Sequence, residues 1–380
     1  MPGHALLEAE VNLFCVRSDA ASRPFPWTNQ ALDWKKVLEF AQIHGVLQFL
    51  ADYLEATRLD LPDPWREILA AQRRRNAVRS MVQHRECAVV LRALSEAGIA
   101  AVPFKGTSLS KLLYGRVADR ISSDVDILIR AADLMRTRTI LESHGFTPVE
   151  SASRMAIDAL LASGIEMAFV NSNGVIVEVH WRVLEPGQAF GFPNDFESLR
   201  IDGDHIANED LFIILVMHGL AHRWEMLKWI VDIDAFLRNV PIDWKAVWKR
   251  AGETGTCRAT NIALLLVHDL LGTPLPTPIA DAKAERLARS YSRHLLEGGR
   301  IPAVADFRMQ MAARERWIDR RRFIGFVARV KPWDHDTPGP KALARVVRLL
   351  TRGFRSSQLA DAQKIPELHV SATSRGSDTR

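Results

Sequence analysis

The spacing of apolar residues divides the chain into two helical flanks and a mixed middle. From about residue 30 to 97, apolar residues recur every three or four positions, as on the buried side of a helix. This pattern predicts one helix through Leu32, Val37 and Phe40 and a second, arginine-rich helix over Pro64–Gly98. After Pro193 the pattern is helical again and continues to about residue 350, with predicted helices at 210–224, 227–237, 244–251 and 257–271.

The middle of the chain alternates short apolar segments with glycine turns. Its pattern predicts strands at 99–104, 125–129, 165–170 and 175–181, and helices at 108–114 and 131–144. Gly145 follows the second of these helices, as a glycine at the C′ position does. N-S-N-G between the last two strands is typical of a hairpin turn.

The sequence therefore predicts an α+β fold, with a small mixed-sheet core at about residues 99–182 between helical N- and C-terminal segments. The predicted units are an N-terminal helical segment at 1–98, a catalytic core at 99–200 and a C-terminal helical domain at 201–354. The polar, serine-rich tail at 355–380 is predicted to be disordered.

The most informative segment is Val102–Ile129. It is predicted to form a strand, a glycine turn, a helix opening on Thr107 and Ser108, and a second strand that carries Asp124 and Asp126. Residues i and i+2 of a strand share a face, so the two carboxylates can hold a divalent metal together. The glycine turn leaves amides at the helix N-terminus free to bind phosphate. This combination indicates phosphoryl or nucleotidyl transfer.

A third acidic residue lies on a later predicted strand, V-I-V-E-V-H-W-R. Ile176, Glu178 and His180 share one face of that strand, and three valines share the other. Two-metal transfer uses carboxylates that bridge ions about 3.5–4 Å apart, and Glu178 is the candidate that completes the set. Taken alone, the D-x-D strand also fits the polar outer face of a half-exposed sheet. The glycine turn before it and the acid after it favour function.

Three features beside the acids suggest a phosphate site. Gly106 removes a side chain where a triphosphate would approach, and the amides of Thr107 and Ser108 would face that ligand. Lys105 is a candidate to neutralise phosphate charge, although a lysine at a strand end is often simply solvated. Arg120 fits either a phosphate clamp or an ion pair with an aspartate.

Composition adds little to this interpretation. The chain has 380 residues and a net charge of +5, which fits an anionic ligand but also an ordinary basic surface. Its three cysteines, Cys15, Cys87 and Cys257, form no C-x-x-C pair, so we expect a reducing cytoplasm rather than a disulfide scaffold. Neither a membrane span nor a secretory signal is predicted.

At these residues the sequence resembles the nucleotidyltransferase superfamily of the DNA polymerase β type. It is most similar to a bacterial branch, the uncharacterised nucleotidyltransferases. That branch has K-G at a strand end, then a Tyr, an Arg, D-h-D, a later acid-h-H-W-R segment and a helix with H-x-x-x-H. This chain has the same features at Lys105-Gly106, Tyr114, Arg120, Asp124-Val125-Asp126, Glu178–Arg182, and His218 with His222. The resemblance covers roughly residues 30–350.

Two departures accompany the resemblance. The superfamily usually has Gly-Ser at the phosphate turn, where this chain has Gly106-Thr107-Ser108, and the branch often has Asp at the position of Glu178. The resemblance implies transfer of a nucleoside monophosphate from an NTP, with ATP as the expected donor and Mg²⁺ or Mn²⁺ as the cofactor. Asp124 and Asp126 would hold both ions, and Glu178 would complete the site.

Further candidates for the cleft lie in the same strand as Glu178 and in the helices that follow. They are His180, His222, Arg223 and Lys228. His218 and His222 also have a zinc-compatible spacing, but without a third ligand they fit better as hydrogen-bonding residues of a helix packed on the sheet.

Three functions are compatible with the sequence. The leading one is a nucleotidyltransferase that acts on a small molecule, peptide or protein. The alternative is a non-catalytic module on the same scaffold that binds a nucleotide or a partner protein, as an antitoxin-like subunit does. Nucleic-acid binding would depend only on the arginines at 314, 316 and 320–322, whose pattern better fits a solvated helix face.

Overall fold

The computed structural model describes residues 32–57, 61–149, 160–162, 164–298 and 301–328. The predicted tail at 355–380, the end of the predicted C-terminal helices and Cys15 lie outside these residues. Among the residues described, none of the helices combines the length and the apolar character needed to cross a membrane.

Within residues 32–96 as described, three helices precede the sheet: α1 (Trp34–Ile43), α2 (Leu47–Thr57) and α3 (Asp63–Glu96). The Asp33 side chain accepts a hydrogen bond from the amide of Lys36 and so caps α1. Proline in the first turn of α3 has no amide to leave unpaired there. With 34 residues, α3 extends for about 50 Å along the sheet domain.

The sheet has five strands in the order β1-β2-β5-β4-β3. The strands are β1 (Ala101–Pro103), β2 (Asp124–Ile129), β3 (Phe146–Pro148), β4 (Glu166–Asn171) and β5 (Ile176–His180). β2 and β5 run parallel, and the other pairs are antiparallel. The result is the mixed sheet that the sequence predicts, with α4 (Gly106–Tyr114) and α5 (Leu134–Ser143) in the connections.

The C-terminal part is helical and begins with a short hairpin of β6 (Ile201–Asp202) and β7 (His205–Ile206). Helix α6 (Asn208–Ala221) is apolar on nearly every side and is accordingly buried by its neighbours. Three helices pack against it, α7 (Leu227–Asn239), α8 (Trp244–Thr254) and α9 (Cys257–Leu271). Next, α10 (Ala282–Glu297) packs on α9 and α11 (Ala303–Ala313) on α10, and α12 (Trp317–Ala328) follows in the chain.

The structure differs from the sequence prediction at α2, an 11-residue helix that the prediction did not separate, and at several short elements. β3, β6 and β7 have two or three residues each and were not predicted, because so short a segment shows no period. The predicted helix at 131–144 begins with a 3-10 turn at Ala131–Asp133. Helix α4 begins at Gly106, two residues before the predicted start.

The expectation of a solvated arginine face at the C-terminus is wrong for Arg314. This side chain is fully buried, and its guanidinium lies 3.8 Å from the ring centroid of Phe323 and 4.5 Å from that of Phe190. It donates hydrogen bonds to the carbonyl oxygens of Gln310 and Gly187. Aromatic faces and carbonyl oxygens replace the water that the sequence pattern led us to expect. This residue is therefore part of the core.

Gly106 connects β1 to α4 with a backbone that other residues adopt only under strain. Its φ is +59°, and a Cβ atom at this position would lie 2.9 Å from the carbonyl oxygen of Asp124. Such a distance is a clash with the backbone of the neighbouring strand, which cannot move aside as a side chain can. Glycine thus allows the start of α4 to lie directly against β2, the strand that carries Asp124 and Asp126.

We expect Gly106→Ala to lower the free energy of unfolding by about 1–3 kcal/mol, because it adds both strain at positive φ and a backbone clash. Gly252→Ala is the matched control. Gly252 lies within α8 without a positive φ, and a Cβ atom added there would meet nothing within 4 Å among the described residues outside its own helix backbone. The control should gain up to about 1 kcal/mol from helix propensity. Urea denaturation of both variants measures the difference, and equal effects would contradict the explanation.

Candidate active site

The register of the central strands brings the acidic residues to one place. Asp126 of β2 lies opposite Glu178 of β5, and Glu166 of β4 lies opposite His180. Residues directly opposite each other in a sheet share a face, so these side chains project to the same side. On the other face, Val125, Val177 and Val179 are buried in the core.

His180 lies at the centre of this group. Its Nε2 atom is 3.2 Å from Oδ1 of Asp126, 3.3 Å from Oε2 of Glu166 and 3.6 Å from Oε2 of Glu178. The Phe104 ring packs against the imidazole nearly at a right angle, with the ring centroids 5.1 Å apart. The Nε2–H group donates a hydrogen bond to Asp126 and lies within ion-pair distance of Glu166 and Glu178, and because the side chain is only 1% exposed, water screens these charges little.

These carboxylates control the protonation of His180. Burial disfavours the imidazolium, but the negative charge of Glu166 and the hydrogen bonds to Asp126 and Glu178 outweigh burial and raise the pKa of His180 to about 10. Burial also acts on Asp126, yet Lys105 and His180 hold the pKa of that carboxyl well below its usual value. The pair is therefore an imidazolium and a carboxylate at neutral pH.

The charged form of the other three acids is less stable than that of Asp126. Burial raises the pKa of Glu166, Glu178 and Asp124, and repulsion from the neighbouring carboxylates adds to the effect. A group of carboxylates that repel one another is also a group that gains from an added cation. The charges at this position therefore favour binding of a positively charged ligand.

Asp126, Glu178 and His180 lie close enough together to hold one metal ion. Each offers one ligand atom, and these atoms lie within 4.8 Å of one another. The two carboxylate oxygens suit Mg²⁺, and the imidazole nitrogen would join them as a ligand of a first-row metal only after losing the proton that the carboxylates hold.

Asp124 does not belong to that group. Its carboxylate accepts hydrogen bonds from the hydroxyls of Ser122, at 3.3 Å, and Ser123, at 2.7 Å. The structure thus places the first acid of the D-x-D pair beside two serines and the second among the metal-type ligands. The ligand role of Asp124 stays a prediction.

Lys105 reaches the acids from the end of β1. Its ammonium nitrogen is 3.5 Å from Oδ1 of Asp126 and 4.9 Å from the centroid of the Phe104 ring. Burial disfavours the charge of this lysine, but Asp126, Glu166 and Glu178 outweigh burial and raise its pKa. Lys105 is therefore a permanent cation at the point where β1 turns into α4.

The predicted phosphate turn is the first turn of α4. Its leading amides, at Gly106, Thr107 and Ser108, have no carbonyl partner within the helix, as at every helix N-terminus. Among the described residues, no side chain caps this end. Thr107 is buried, and within the described part of the chain its hydroxyl oxygen has no hydrogen-bond partner. These are donors that an anion beside Lys105 would satisfy.

Arg120 does not reach the carboxylates of β2. Its Nε atom donates to both carboxylate oxygens of Asp232 on α7, at 3.1 and 2.9 Å, and the hydroxyl of Tyr114 donates to Oδ1 of the same aspartate at 2.9 Å. Arg120 and Asp232 are both buried. Of the two roles that the sequence allows for Arg120, a phosphate clamp or an ion pair with an aspartate, the structure shows the ion pair. This pair fixes α7 to the sheet. A direct role of Arg120 in phosphate binding stays a prediction.

The histidines after the sheet form an aromatic group with Trp229. The ring centroids of His218 and His222 are 4.5 Å apart, and Trp229 lies 5.6 and 5.1 Å from them. Burial, and then the charge of Lys105, lowers the pKa of His222 to about 3 and holds the pKa of His218 well below its usual value. Both imidazoles are therefore neutral.

Two further cleft candidates have different surroundings. Burial and the charge of Arg120 lower the pKa of Lys228 to about 8, against the attraction of Asp232 and Asp124. Arg223 pairs instead with Glu225, at 2.6 Å, and lies 3.7 Å from Asp306 on α11. Lys228 therefore feels the charges of Asp232 and Asp124, while the guanidinium of Arg223 is held by other carboxylates. A place for Lys228 in the cleft stays a prediction.

Sequence reasoning missed two residues of this site. Glu166 is the first residue of β4, and only the pairing of β4 with β5 places it beside His180. Asp232 follows Lys228 by one helical turn, so the helical period places the two on one face of α7. That period does not indicate that Asp232 pairs with Arg120. The partners of both residues lie far away in sequence, and no local pattern specifies them.

Acidic residues on neighbouring strands of a mixed sheet, beside a helix that opens on glycine, define the class of protein: this is a nucleotidyltransferase fold. The model of a family described as "Uncharacterised nucleotidyltransferase" matches residues 30–272, and the chain belongs to that family. No curated protein and no solved structure matches the chain.

We expect Asp232→Asn to lower the free energy of unfolding by on the order of 3 kcal/mol, because it leaves the buried guanidinium of Arg120 without its counter-charge. Glu142→Gln is the matched control, since Glu142 pairs with Arg138 at 2.8 Å on the exposed side of α5. That change should cost less than about 1 kcal/mol. Chemical denaturation measures both values, and a loss below about 1 kcal/mol for Asp232→Asn would contradict the role of the pair.

We expect Glu166→Gln to lower the pKa of His180, because the variant removes the strongest of the negative charges that hold the proton. NMR titration of the His180 ring C–H signals measures the change. Since the pKa of His180 rises from 6.5 to about 10 on folding, its protonation stabilises the fold fully below pH 6.5, and the stabilisation is lost as the pH rises towards 10.

The pH dependence of unfolding should therefore become shallower between pH 6.5 and 10 in Glu166→Gln. Glu185→Gln, outside the acidic group, should leave both the titration and the slope unchanged. An unchanged His180 titration in Glu166→Gln would show that Glu166 does not hold the proton.

Proposed function

We propose that this protein transfers a nucleoside monophosphate from an NTP, with ATP as the donor, to a hydroxyl group of a small molecule, peptide or protein. The observation that supports this most is the convergence of Asp126, Glu178 and His180 directly beside the uncapped start of α4. Acidic ligands next to free amides suit a nucleotide whose triphosphate carries a divalent cation: the acids bind the cation and the amides bind the phosphates.

The residues present fit a divalent cation. Asp126, Glu178 and His180 have their ligand atoms within 4.8 Å of one another, and three carboxylates already surround one imidazole nitrogen within 3.6 Å there. In the proposed site Asp124, Asp126 and Glu178 hold Mg²⁺ or Mn²⁺. When bound, such ions neutralise phosphate charge and make the attacking hydroxyl more acidic.

The first turn of α4 positions the donor. The amides of Gly106, Thr107 and Ser108 hold the β- and γ-phosphates. Lys105, which pairs with Asp126 in the structure, pairs with a phosphate oxygen when the nucleotide is bound. Lys228 and His222 face the acids from the helical wall. Gripping the outer phosphates leaves the α-phosphate open to in-line attack.

The chemical step is a substitution at the α-phosphorus. The acceptor oxygen forms a bond to that phosphorus while the bond from it to the bridging oxygen of the β-phosphate breaks, and pyrophosphate leaves with the electron pair. The carboxylate of Glu178, or Asp126 through a water molecule, takes the proton of the acceptor hydroxyl. Burial raises the pKa of Glu178, and that shift suits a proton acceptor.

We expect Asp126→Asn to abolish release of pyrophosphate and labelling of a product, measured with radiolabelled NTPs, Mg²⁺ and cell extract. The loss should be at least about a hundredfold, because the variant removes a metal ligand and the partner of Lys105. Asp202→Asn, an exposed aspartate on β6, is the control and should retain full activity.

Circular dichroism and Mn²⁺ binding separate a chemical effect from misfolding. A folded Asp126→Asn protein with weakened Mn²⁺ binding and no product supports the proposal. Equal labelling by variant and wild type would contradict the site assignment. Wild type that binds NTP but never releases pyrophosphate would instead identify the non-catalytic binding module.

A further inference from the structure

Helix α3 has two sides of different character. Its inner side buries Leu69, Val90 and Leu94 against the domain. Its outer side leaves large apolar side chains in solvent: Val78 is 63% exposed, Met81 65% and Val89 40%. Exposed apolar residues grouped on one side of a helix are a sign of an interaction surface, whereas single ones are common.

The outer residues follow a coiled-coil spacing. Arg75, Val78, Val82, Arg85, Val89 and Arg92 follow one another at intervals of three or four residues. This is the spacing of the contact positions in a heptad repeat, here with valine and arginine interleaved. We call these six residues the α3 seam. It extends for about 25 Å along the helix.

The arginines of the seam differ from their neighbour Arg73 in their ion pairing. In the described part of the chain, Arg75, Arg85 and Arg92 make no ion pair, while Arg73, on another side of α3, pairs with Asp52 and Glu55. Three such guanidinium groups between valines form a surface that is both apolar and positive. This surface is complementary to a partner with apolar and acidic residues in the same alternation.

The surface around the seam is concave. One groove of about 520 Å³ lies between α3 and the turn that joins β4 to β5, lined by Arg75, Val78, Val82 and Gly174. A second, separate groove of about 340 Å³ lies further along α3, lined by Arg85, Val89, Arg92 and His144 and, at its end, by Glu96. A groove along a helix fits an inserted helix better than a flat membrane.

We propose that the α3 seam binds an α-helix of a partner protein in which acidic residues alternate with apolar residues at heptad spacing. A second copy of this chain would set arginine against arginine, which is unfavourable. Nucleic acid would leave the valines without contacts, and the six residues of the seam include no aromatic ring on which a base could stack.

The α3 seam lies next to the residues that lead into β2, the strand that carries Asp124 and Asp126. Arg79, next to Val78, donates a hydrogen bond to the carbonyl oxygen of Ser123 at 3.0 Å, and the Ser123 hydroxyl donates to Asp124 at 2.7 Å. A helix in the first groove would therefore lie beside the loop that orients Asp124. Binding at the seam is independent of the proposed nucleotidyl transfer and is measured without turnover.

The test uses the full-length protein and two fluorescein-labelled helical peptides, measured by fluorescence anisotropy. The first has leucine where it faces the valines and glutamate where it faces the arginines, and the second has lysine in place of each glutamate. We expect the acidic peptide to bind at least about tenfold more tightly, and its affinity to fall as salt increases.

Three variants locate the binding. Val82→Asp should weaken the acidic peptide at least about tenfold, since it places a carboxylate in the apolar contact. Arg85→Glu should weaken the acidic peptide and strengthen the lysine peptide. Arg293→Glu, an exposed residue of α10, is the control and should change neither. Equal binding of both peptides, binding of neither, or binding unchanged in Arg85→Glu would overturn the proposal.

The occupant in the cell is identified with a photo-crosslinking amino acid at Met81, followed by sequencing of the attached segment. An acidic, heptad-patterned segment of another protein supports the proposal. Attachment to a second copy of this chain, to nucleic acid or to lipid would overturn it, as would a dimer in solution that Val82→Asp dissociates.

Discussion

The site depends on how several carboxylates can be held together on neighbouring strands without a large electrostatic cost. Asp126, Glu166 and Glu178 repel one another, and burial increases the effect because it removes water from between them. The protein compensates with two cations, one on β5 and one in the connection from β1 to α4. The Nε2 atom of His180 lies among all three acids, and Lys105 reaches Asp126 from the residue before α4. Both cations keep their charge because the acids raise their pKa values.

A second buried ion pair joins the sheet to the helical part. Asp232 of α7 accepts hydrogen bonds from Arg120 and Tyr114, which belong to the segment between β1 and β2. The same helix carries Lys228 and Trp229 one turn earlier, so the ion pair also fixes the position of these two residues relative to the sheet. The features that resemble the family thus fall into two groups. The first group contains the acids and the cations that pair with them: Lys105, Asp126, Glu178 and His180. The second group, Tyr114 and Arg120, joins the sheet to α7 through Asp232.

Helix α3 supports this arrangement from behind and exposes its outer side. Gln83 and Arg79 donate hydrogen bonds to the carbonyl oxygens of Ser122 and Ser123, the two residues that precede Asp124. A helix that only supported the sheet would need a single apolar side. The valines and arginines of the α3 seam are therefore the feature of the chain that nucleotide chemistry does not explain.

The sequence by itself determined the elements and the residue types of the chemistry. The period of two in D-V-D and V-E-V-H, the glycine before α4 and the helical period in the flanks are local properties, and the structure has the corresponding strands and helices. Only the tertiary structure decided which side chains meet. The position of Glu166 beside His180, the pairing of Arg120 with Asp232 and the burial of Arg314 all join residues distant in sequence. Strand register and helix packing create those contacts, and no local pattern of polarity contains them.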